Sequence, residues 1–246
     1  METTGFLDRS LGDNSLEDSG GDGIRPYQLY VPPGYSAQRS WPLIVFLHGA
    51  GEGGHDGLLQ TEFQLGSAIR RHRELFDALV VFPQQQPSGY WRAQDLQMAL
   101  TCVQQTCRDY CIDTSRISLC GVSSGAIGAW ALASRNPQCF ARLLIVGGLV
   151  GPAAFVPTEA AVVPAAEPDP HQWLARQLQH LPIWIHHGDV DPLYDVRDAR
   201  RTVACLRALG APVRYSEVPG FGHNVWDLAF YSEAVLRWLI SPLDPQ

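Results

Sequence analysis

A short turn in the middle of the chain, Gly121-x-Ser123-x-Gly125, constrains the fold more than any other stretch. An apolar strand predicted at 117–120 runs into it, and a helix rich in small residues is predicted at 126–135. A serine held between a buried strand and a helix adopts a strained backbone, and strand and helix then nearly touch. The positions two before and two after it must therefore be small, as both glycines are. The turn predicts a reactive Ser123, with a tight structural turn as the alternative.

The whole chain has the composition of a globular protein, because 46% of its 246 residues are hydrophobic, enough for a full core. The formal net charge is −7, and residues 1–23 hold six acidic side chains against one arginine. The remaining body is nearly neutral and has no run of Lys or Arg, so nucleic acid is not an expected partner. Residues 1–23 are rich in Gly, Ser and Asp, and we expect them to form a flexible acidic tail.

The start of the sequence lacks the basic, then apolar, then small-residue order of a secretory signal. No apolar run is long enough to span a membrane, and the expectation is a cytoplasmic protein. The six cysteines lack the paired spacing of a zinc site, so buried free thiols are expected. Their even number also permits disulfides if the chain is exported.

Strand and helix patterns alternate along the body of the chain. Apolar runs typical of strands buried on both faces lie at 43–47, 79–82, 143–146 and 183–186. This alternation predicts one α/β domain from 24 to 246, with a doubly wound, mostly parallel sheet and helices on both faces. A Pro- and Ala-rich insertion at about 149–170 interrupts it, and such a long irregular loop is usually a lid, a binding loop or disordered.

Two later loops carry side chains that suit acyl transfer by Ser123. Each of Ser123, Asp191 and His223 follows a predicted strand, and such strand ends meet at one edge of a parallel sheet. His223 would take the hydroxyl proton while the carboxylate orients the imidazole, although a plain surface histidine is the alternative. Asp189 suits a turn and Asp195 a helix N-cap, whereas Asp191 precedes a proline at the loop tip and is preferred.

The tetrahedral intermediate of acyl transfer needs two N–H donors. The Gly-rich loop after 43–47 offers the backbone N–H of Ala50, and the helix start after the nucleophile offers that of Ser124. A phosphate cradle is the other use of such a loop, but neither the dinucleotide glycine spacing nor the Lys-Ser/Thr of a P-loop is present. No catalytic metal is expected, because His186 and His187 point to opposite faces of one strand.

Five stretches together resemble the carboxylesterase branch of the α/β-hydrolase superfamily, which includes polyhydroxybutyrate-depolymerase-like and feruloyl-esterase-like enzymes, often described as predicted phospholipases or peptidases. They are 46–52, 81–84 with Trp91, 121–125 with 128–130, 187–192 and 219–226. The resemblance covers about 26–240 and implies an α/β-hydrolase fold with Asp191 as the acid of a Ser-Asp-His catalytic triad. The chain departs from the family pattern at Ala126, where glycine is usual, in its longer insertion, and in the lack of a visible export signal.

The resemblance implies a serine hydrolase (EC 3.1.1.-) that cleaves a small-molecule carboxylic ester through an acyl-enzyme, without a cofactor or metal. We expect ester substrates with small or aromatic acyl groups. Trp91 and Trp226 are candidate walls of the substrate pocket, with core packing as the alternative. A peptidase or amidase with the same triad, and a non-catalytic ligand-binding relative, remain open, as does the oligomeric state.

Overall fold

The computed structural model describes residues 3–12 and 24–242, and eight strands of these residues form one sheet. The strands are β1 (Gly5–Gly12), β2 (Ile24–Val31), β3 (Trp41–Leu47), β4 (Leu79–Pro83), β5 (Ile112–Val122), β6 (Arg142–Val146), β7 (Ile183–Gly188) and β8 (Val213–Val218). Their order is β1-β2-β4-β3-β5-β6-β7-β8. β2 is antiparallel to both neighbours and the other pairs are parallel, which confirms the predicted mostly parallel sheet.

Seven α-helices of the described residues cover the two faces of this sheet. They are α1 (Gln64–Arg71), α2 (Ala93–Asp109), α3 (Ser124–Arg135), α4 (Pro170–Leu178), α5 (Val196–Ala208), α6 (Trp226–Tyr231) and α7 (Glu233–Ile240). Helices α2 to α5 pack into an apolar core on one face, and α1, α6 and α7 into a second core on the other. In β3, Leu43 and Val45 face the first core while Ile44 and Phe46 face the second. Burial on both faces explains why the strand is apolar at every position.

The strand order reverses between β3 and β5, because the chain goes from β3 to β4 on one side and then returns to β5 on the other. In open α/β sheets, ligands bind outside the carboxyl ends of the strands at this reversal point. The loop after β3 carries Ala50, and the turn after β5 carries Ser123. The fold therefore places the two predicted halves of the reaction site side by side.

The predicted flexible tail is wrong for residues 5–12, which form β1 and pair with β2 along its length. The Phe6 ring packs against the second core, with its centroid 5.2 Å from that of Tyr30, and Leu11 is buried in the first core. The composition of the first 23 residues does not predict this strand, because main-chain hydrogen bonds, which do not depend on the side chains, hold β1 at the sheet edge. Residues 1–2 and 13–23 of the expected tail lie outside the described residues.

Deletion of residues 1–12 is expected to destabilise the protein, because it uncovers the edge of β2 and removes the apolar contacts of Phe6 and Leu11. Full burial of two large apolar side chains corresponds to about 3–6 kcal/mol, and because Phe6 is partly buried we expect a loss near the lower end. Thermal unfolding should shift down by roughly 5 °C or more for a chain of this size. An unchanged unfolding temperature in the truncated protein would mean that β1 contributes nothing to the fold.

Two helices differ from what the sequence pattern predicts. The pattern predicts one helix over 58–71, but α1 begins at Gln64, after a 3-10 turn at Leu59–Thr61. Gly66 lies so close to this turn that a Cβ there would be 2.0 Å from the Thr61 carbonyl oxygen. The pattern also predicts one helix over about 228–240, which the structure divides into α6 and α7, meeting at Ser232. Among the described residues, no helix has both the length and the apolar character to cross a membrane.

The Pro- and Ala-rich insertion contains one short 3-10 helix, Thr158–Ala160, and is otherwise irregular. It is anchored at its start, where the N–H groups of Val150 and Gly151 each donate to the Asp198 carboxylate at 2.8 Å. Farther along, the Phe155 ring stacks parallel to the Tyr194 ring, with 5.8 Å between centroids. The insertion thus packs beside the edge of the sheet at which the predicted site lies.

Candidate active site

The turn after β5 has the strained geometry that its sequence predicts. Ser123 has φ +54° and ψ −121°, a conformation that L residues rarely adopt. A Cβ on Gly121 would lie 2.2 Å from the Gly125 carbonyl oxygen, and one on Gly125 would lie 2.1 Å from the Leu47 carbonyl oxygen. Strand and helix are therefore in backbone contact, and this contact presents the Ser123 side chain at the sheet edge.

Three predicted site residues meet through hydrogen bonds at this edge. Ser123 Oγ is 2.8 Å from His223 Nε2, and His223 Nδ1 is 2.7 Å from Asp191 Oδ2. A neutral imidazole that donates from Nδ1 to the carboxylate has Nε2 free to accept the serine proton. The geometry is thus that of a nucleophile, a base and an orienting acid in series.

The other two aspartates of the loop after β7 make different contacts. Asp189 accepts a hydrogen bond from the Gly220 N–H at 2.7 Å. Asp195 caps α5 by accepting from the Arg197 N–H at 2.9 Å. Of the three carboxylates, the structure therefore brings Asp191 to His223.

The Asp191 carboxylate is fully buried and well supplied with donors. Its Oδ1 accepts from the N–H groups of Leu193 at 2.8 Å and Tyr194 at 3.0 Å. Burial acts to raise the pKa of Asp191, but the hydrogen bonds from His223 and from these two backbone N–H groups hold that pKa below its ordinary value. Asp191 therefore stays ionised at neutral pH, as an orienting and charge-stabilising acid must.

The predicted oxyanion loop after β3 is held by His48, which is fully buried. His48 Nε2 accepts from the Gln85 N–H at 3.1 Å, so its Nδ1–H donates to the Gly49 carbonyl at 2.7 Å. A Cβ on Gly49 would lie 3.6 Å from Ser123 Cβ, which places the loop against the nucleophile turn. Ala50 follows directly as the first residue of a 3-10 helix, where N–H groups lack intrahelical partners.

The structure does not bring Trp91 into the substrate cleft, so the prediction that it forms a pocket wall is wrong. Its side chain is 1% exposed, and its indole N–H donates to the His48 carbonyl at 3.0 Å. Its Cβ fits against α3 at Gly128, where an added Cβ would lie 2.8 Å away. Trp91 supports the predicted oxyanion loop through this hydrogen bond, which is the core-packing alternative.

Trp226, the other predicted pocket wall, lies next to His223. Its ring meets the His223 imidazole edge to face, with 5.3 Å between centroids. It also lines a cavity of about 300 Å³ together with Phe63, Phe230 and Tyr231. Trp226 therefore contacts both His223 and this cavity, and its role as a pocket wall stays a prediction.

Sequence reasoning missed Tyr194, which packs its ring against His223 with 4.8 Å between centroids. Its hydroxyl faces Ser123 and Tyr90, and burial raises the pKa of Tyr194, so the phenol is a hydrogen-bond donor at neutral pH. Its carbonyl accepts from His187 Nε2 at 2.8 Å. The available signal was its position, three residues after Asp191 in the same loop.

Two buried histidines are expected to make the fold less stable in acid. Burial lowers the pKa of His48 and that of His186 to about 4, from an ordinary value of 6.5. Between pH 6.5 and 4 the unfolded chain binds protons at these sites that the folded chain does not, so stability falls as pH falls. The free energy of unfolding, measured with urea at several pH values in this range, should fall with decreasing pH. The slope of this free energy against pH should include about two protons from these residues. His186→Gln should reduce the slope by about one proton, and an unchanged slope would contradict this assignment.

Comparison with known proteins identifies a family model that the chain matches. Residues 22–220 match the family model described as "Putative esterase". The matched range ends three residues before His223. No curated protein matches the chain in sequence. A solved thermostable esterase is 26% identical, with a TM-score of 0.78 over 95% of this chain. The chain spans 62% of the length of that esterase.

Two further solved structures share the fold at lower identity. The fluorophosphonate-binding serine hydrolase F of Staphylococcus aureus is 16% identical, with a TM-score of 0.72 and coverage of 96% of this chain and 98% of that one. The feruloyl esterase module from Clostridium thermocellum, complexed with sinapinate, is 14% identical, with a TM-score of 0.70 and coverage of 98% and 89%. The family match covers most of the sequence, and the sheet and helices are those of these hydrolases. The chain belongs to the esterase family and has the α/β-hydrolase fold.

Proposed function

We propose that the protein is a serine esterase that cleaves small-molecule carboxylic esters through an acyl-enzyme. The observation that carries the proposal is the hydrogen-bonded series from Ser123 Oγ through His223 to the buried Asp191 carboxylate, at 2.8 Å and 2.7 Å. The esterase family match supports the ester as the bond that is cleaved. The strained Ser123 backbone supports a reactive serine, because such strain is concentrated at functional sites.

In the first half of the reaction, His223 Nε2 takes the Ser123 proton as Oγ attacks the ester carbonyl carbon. The carbonyl oxygen becomes an oxyanion, which the backbone N–H groups of Ala50 and Ser124 bind. Asp191 stabilises the imidazolium without taking its proton. His223 then gives the proton to the departing alkoxy oxygen, and the acyl group remains on Ser123.

In the second half, His223 removes a proton from water, and the hydroxide oxygen attacks the acyl carbonyl carbon. The same two N–H groups bind the second oxyanion. Collapse of this intermediate breaks the bond to Ser123 Oγ, and His223 returns the proton to the serine. The carboxylic acid leaves, and the site is regenerated without a cofactor.

The test is a set of initial rates on p-nitrophenyl esters of increasing acyl length and on methyl ferulate. The proposal predicts turnover that depends on acyl shape, because aromatic side chains including Trp226 line the neighbouring cavity. Matched p-nitroanilides of the same acyl groups distinguish an esterase from an amidase. Slower anilide than ester turnover is not informative by itself, so the comparison is made after correction for each uncatalysed rate. A larger enhancement for anilides would replace the esterase by the peptidase alternative.

A further inference from the structure

A cavity of about 300 Å³ opens beside the proposed catalytic residues, between the oxyanion loop, α1 and α6. The side chains of Phe63, Trp226, Phe230 and Tyr231 form its apolar surface. Trp226 also contacts His223, so this ring is shared by the cavity lining and by the place where an ester would react. An arm of a substrate whose carbonyl group lies at Ser123 can enter it.

Of the two carboxylates that line this cavity, Asp227 and Glu52, the one with an unpartnered buried oxygen is Glu52, the last residue of the 3-10 helix Ala50–Glu52. Glu52 is 9% exposed, and within the described residues its buried Oε2 has no hydrogen-bond partner. His48 Nδ1 is 3.8 Å from this oxygen, but its proton is directed to the Gly49 carbonyl. A buried carboxylate oxygen without a donor is costly, which points to a donor that arrives with a ligand.

The other carboxylate oxygen is held by a strained residue. Gln64 has φ +44°, one of two non-glycine residues with positive φ in the described chain, and the other is Ser123. Its Nε2 donates to Glu52 Oε1 at 3.2 Å. This bond fixes the carboxylate so that Oε1 is occupied and Oε2 is the unpartnered oxygen, and backbone strain of this kind is typical of ligand sites.

The carboxylate is also close to the nucleophile. A Cβ placed on Gly49 would lie 3.2 Å from Glu52 Oε2 and 3.6 Å from Ser123 Cβ. Both groups therefore flank the same glycine. A short substituent on a molecule bound covalently at Ser123 can therefore span the distance to Oε2.

We infer that Glu52 is a specificity-determining residue that accepts a hydrogen bond from a hydroxyl or ammonium group on the substrate arm in this cavity. This inference rests on the proposed esterase function and names the chemical class of its ester, one with a hydrogen-bond donor on an aromatic or apolar arm. The aromatic walls bind the body of the arm, and Oε2 binds its polar end. Arg71 also lines the cavity, but its guanidinium lies over the Tyr231 ring, 4.5 Å from the centroid.

The test uses esters with a 2-arylethyl arm in which the para substituent is hydroxyl, aminomethyl or methyl. One series carries the arm on the acyl side and the other on the alcohol side, because either side can enter the cavity. The expected result is a kcat/KM for a donor ester roughly tenfold or more above that of the methyl ester in one series. Preference for hydroxyl or for aminomethyl identifies which donor the site takes. Equal values for all three substituents in both series would overturn the inference.

Glu52→Gln provides the second arm of the test. Because Gln64 donates to Oε1, the oxygen of the new amide should occupy that position and its NH₂ should replace Oε2. The acceptor in the cavity becomes a donor, so the preference for donor esters should disappear or reverse. Glu62→Gln is the matched control, because Glu62 is exposed, pairs with Arg70 and lies outside the cavity lining. This control should keep the preference.

The outcomes separate the inference from the function on which it rests. Turnover without donor preference, or a donor preference that survives Glu52→Gln, would overturn the inference alone. Absence of any turnover above a Ser123→Ala blank would overturn the proposed esterase and the inference together. If Glu52→Gln does not fold, the comparison of the three esters with the unaltered protein still decides.

Discussion

Replacing Ser123 by alanine is expected to lower kcat for ester hydrolysis by on the order of 10⁴- to 10⁶-fold. In the proposed mechanism, the substitution removes the oxygen that forms the acyl-enzyme and leaves His223 with nothing to deprotonate except water. A small residual rate remains, because the N–H groups of Ala50 and Ser124 still stabilise an oxyanion. Initial rates with the best ester of the p-nitrophenyl set measure the effect.

Ser124→Ala is the matched control for this substitution. Within the described residues the buried Ser124 Oγ has no hydrogen-bond partner, and the proposed role of Ser124 uses its backbone N–H. Its hydroxyl is therefore expected to contribute little, and the rate should stay within about tenfold of the unaltered protein. Both variants should unfold at nearly the same temperature. A Ser123→Ala protein with more than about a hundredth of the original rate would contradict the nucleophile assignment.

Gly125→Ala is expected to destabilise the fold strongly. Its Cβ would lie 2.1 Å from the Leu47 carbonyl oxygen and 2.3 Å from the His48 carbonyl oxygen. These are backbone atoms at the end of β3 and the start of the oxyanion loop, so they cannot move aside as a flexible side chain would. The free energy of unfolding should fall by roughly 4 kcal/mol or more, and any folded protein should have a displaced loop and little activity.

Gly12→Ala, in the edge strand β1, is the control for this change. No atom lies within 4 Å of the added Cβ there, and the backbone is extended. Urea unfolding should show a change within about 0.5 kcal/mol. If Gly125→Ala were as mild as Gly12→Ala, the close contact between α3 and the oxyanion loop would not exist in solution.

The sheet and the meeting of the three site residues follow from rules that act locally along the chain. Strands that are apolar at every position must be buried on both faces, which requires a parallel sheet with two helical layers. In such a sheet the loops after β5, β7 and β8 share one edge. The meeting of Ser123, Asp191 and His223 can therefore be predicted without knowing any other contact.

Other features depend on contacts that no local pattern contains. The β1 strand is held by main-chain pairing with β2, which is independent of its polar composition. Trp91 follows a loop at the sheet edge, but its side chain packs inward because Gly128 on α3 leaves space for it. Tyr194 reaches Ser123 because the Asp191 carboxylate and His187 fix its backbone at both ends. For β1 and Trp91 the deciding partner is distant in the sequence, whereas for Tyr194 it lies within seven residues but is recognised only from the folded loop.

The most direct test of the central claim is the mass of the protein after reaction with a fluorophosphonate. A serine activated by His223 should take up one phosphonyl group per chain, located by peptide mass spectrometry at Ser123. His223→Ala should slow this labelling by several orders of magnitude, because Oγ then keeps its proton. No labelling of the unaltered protein, or labelling at another residue, would contradict the account.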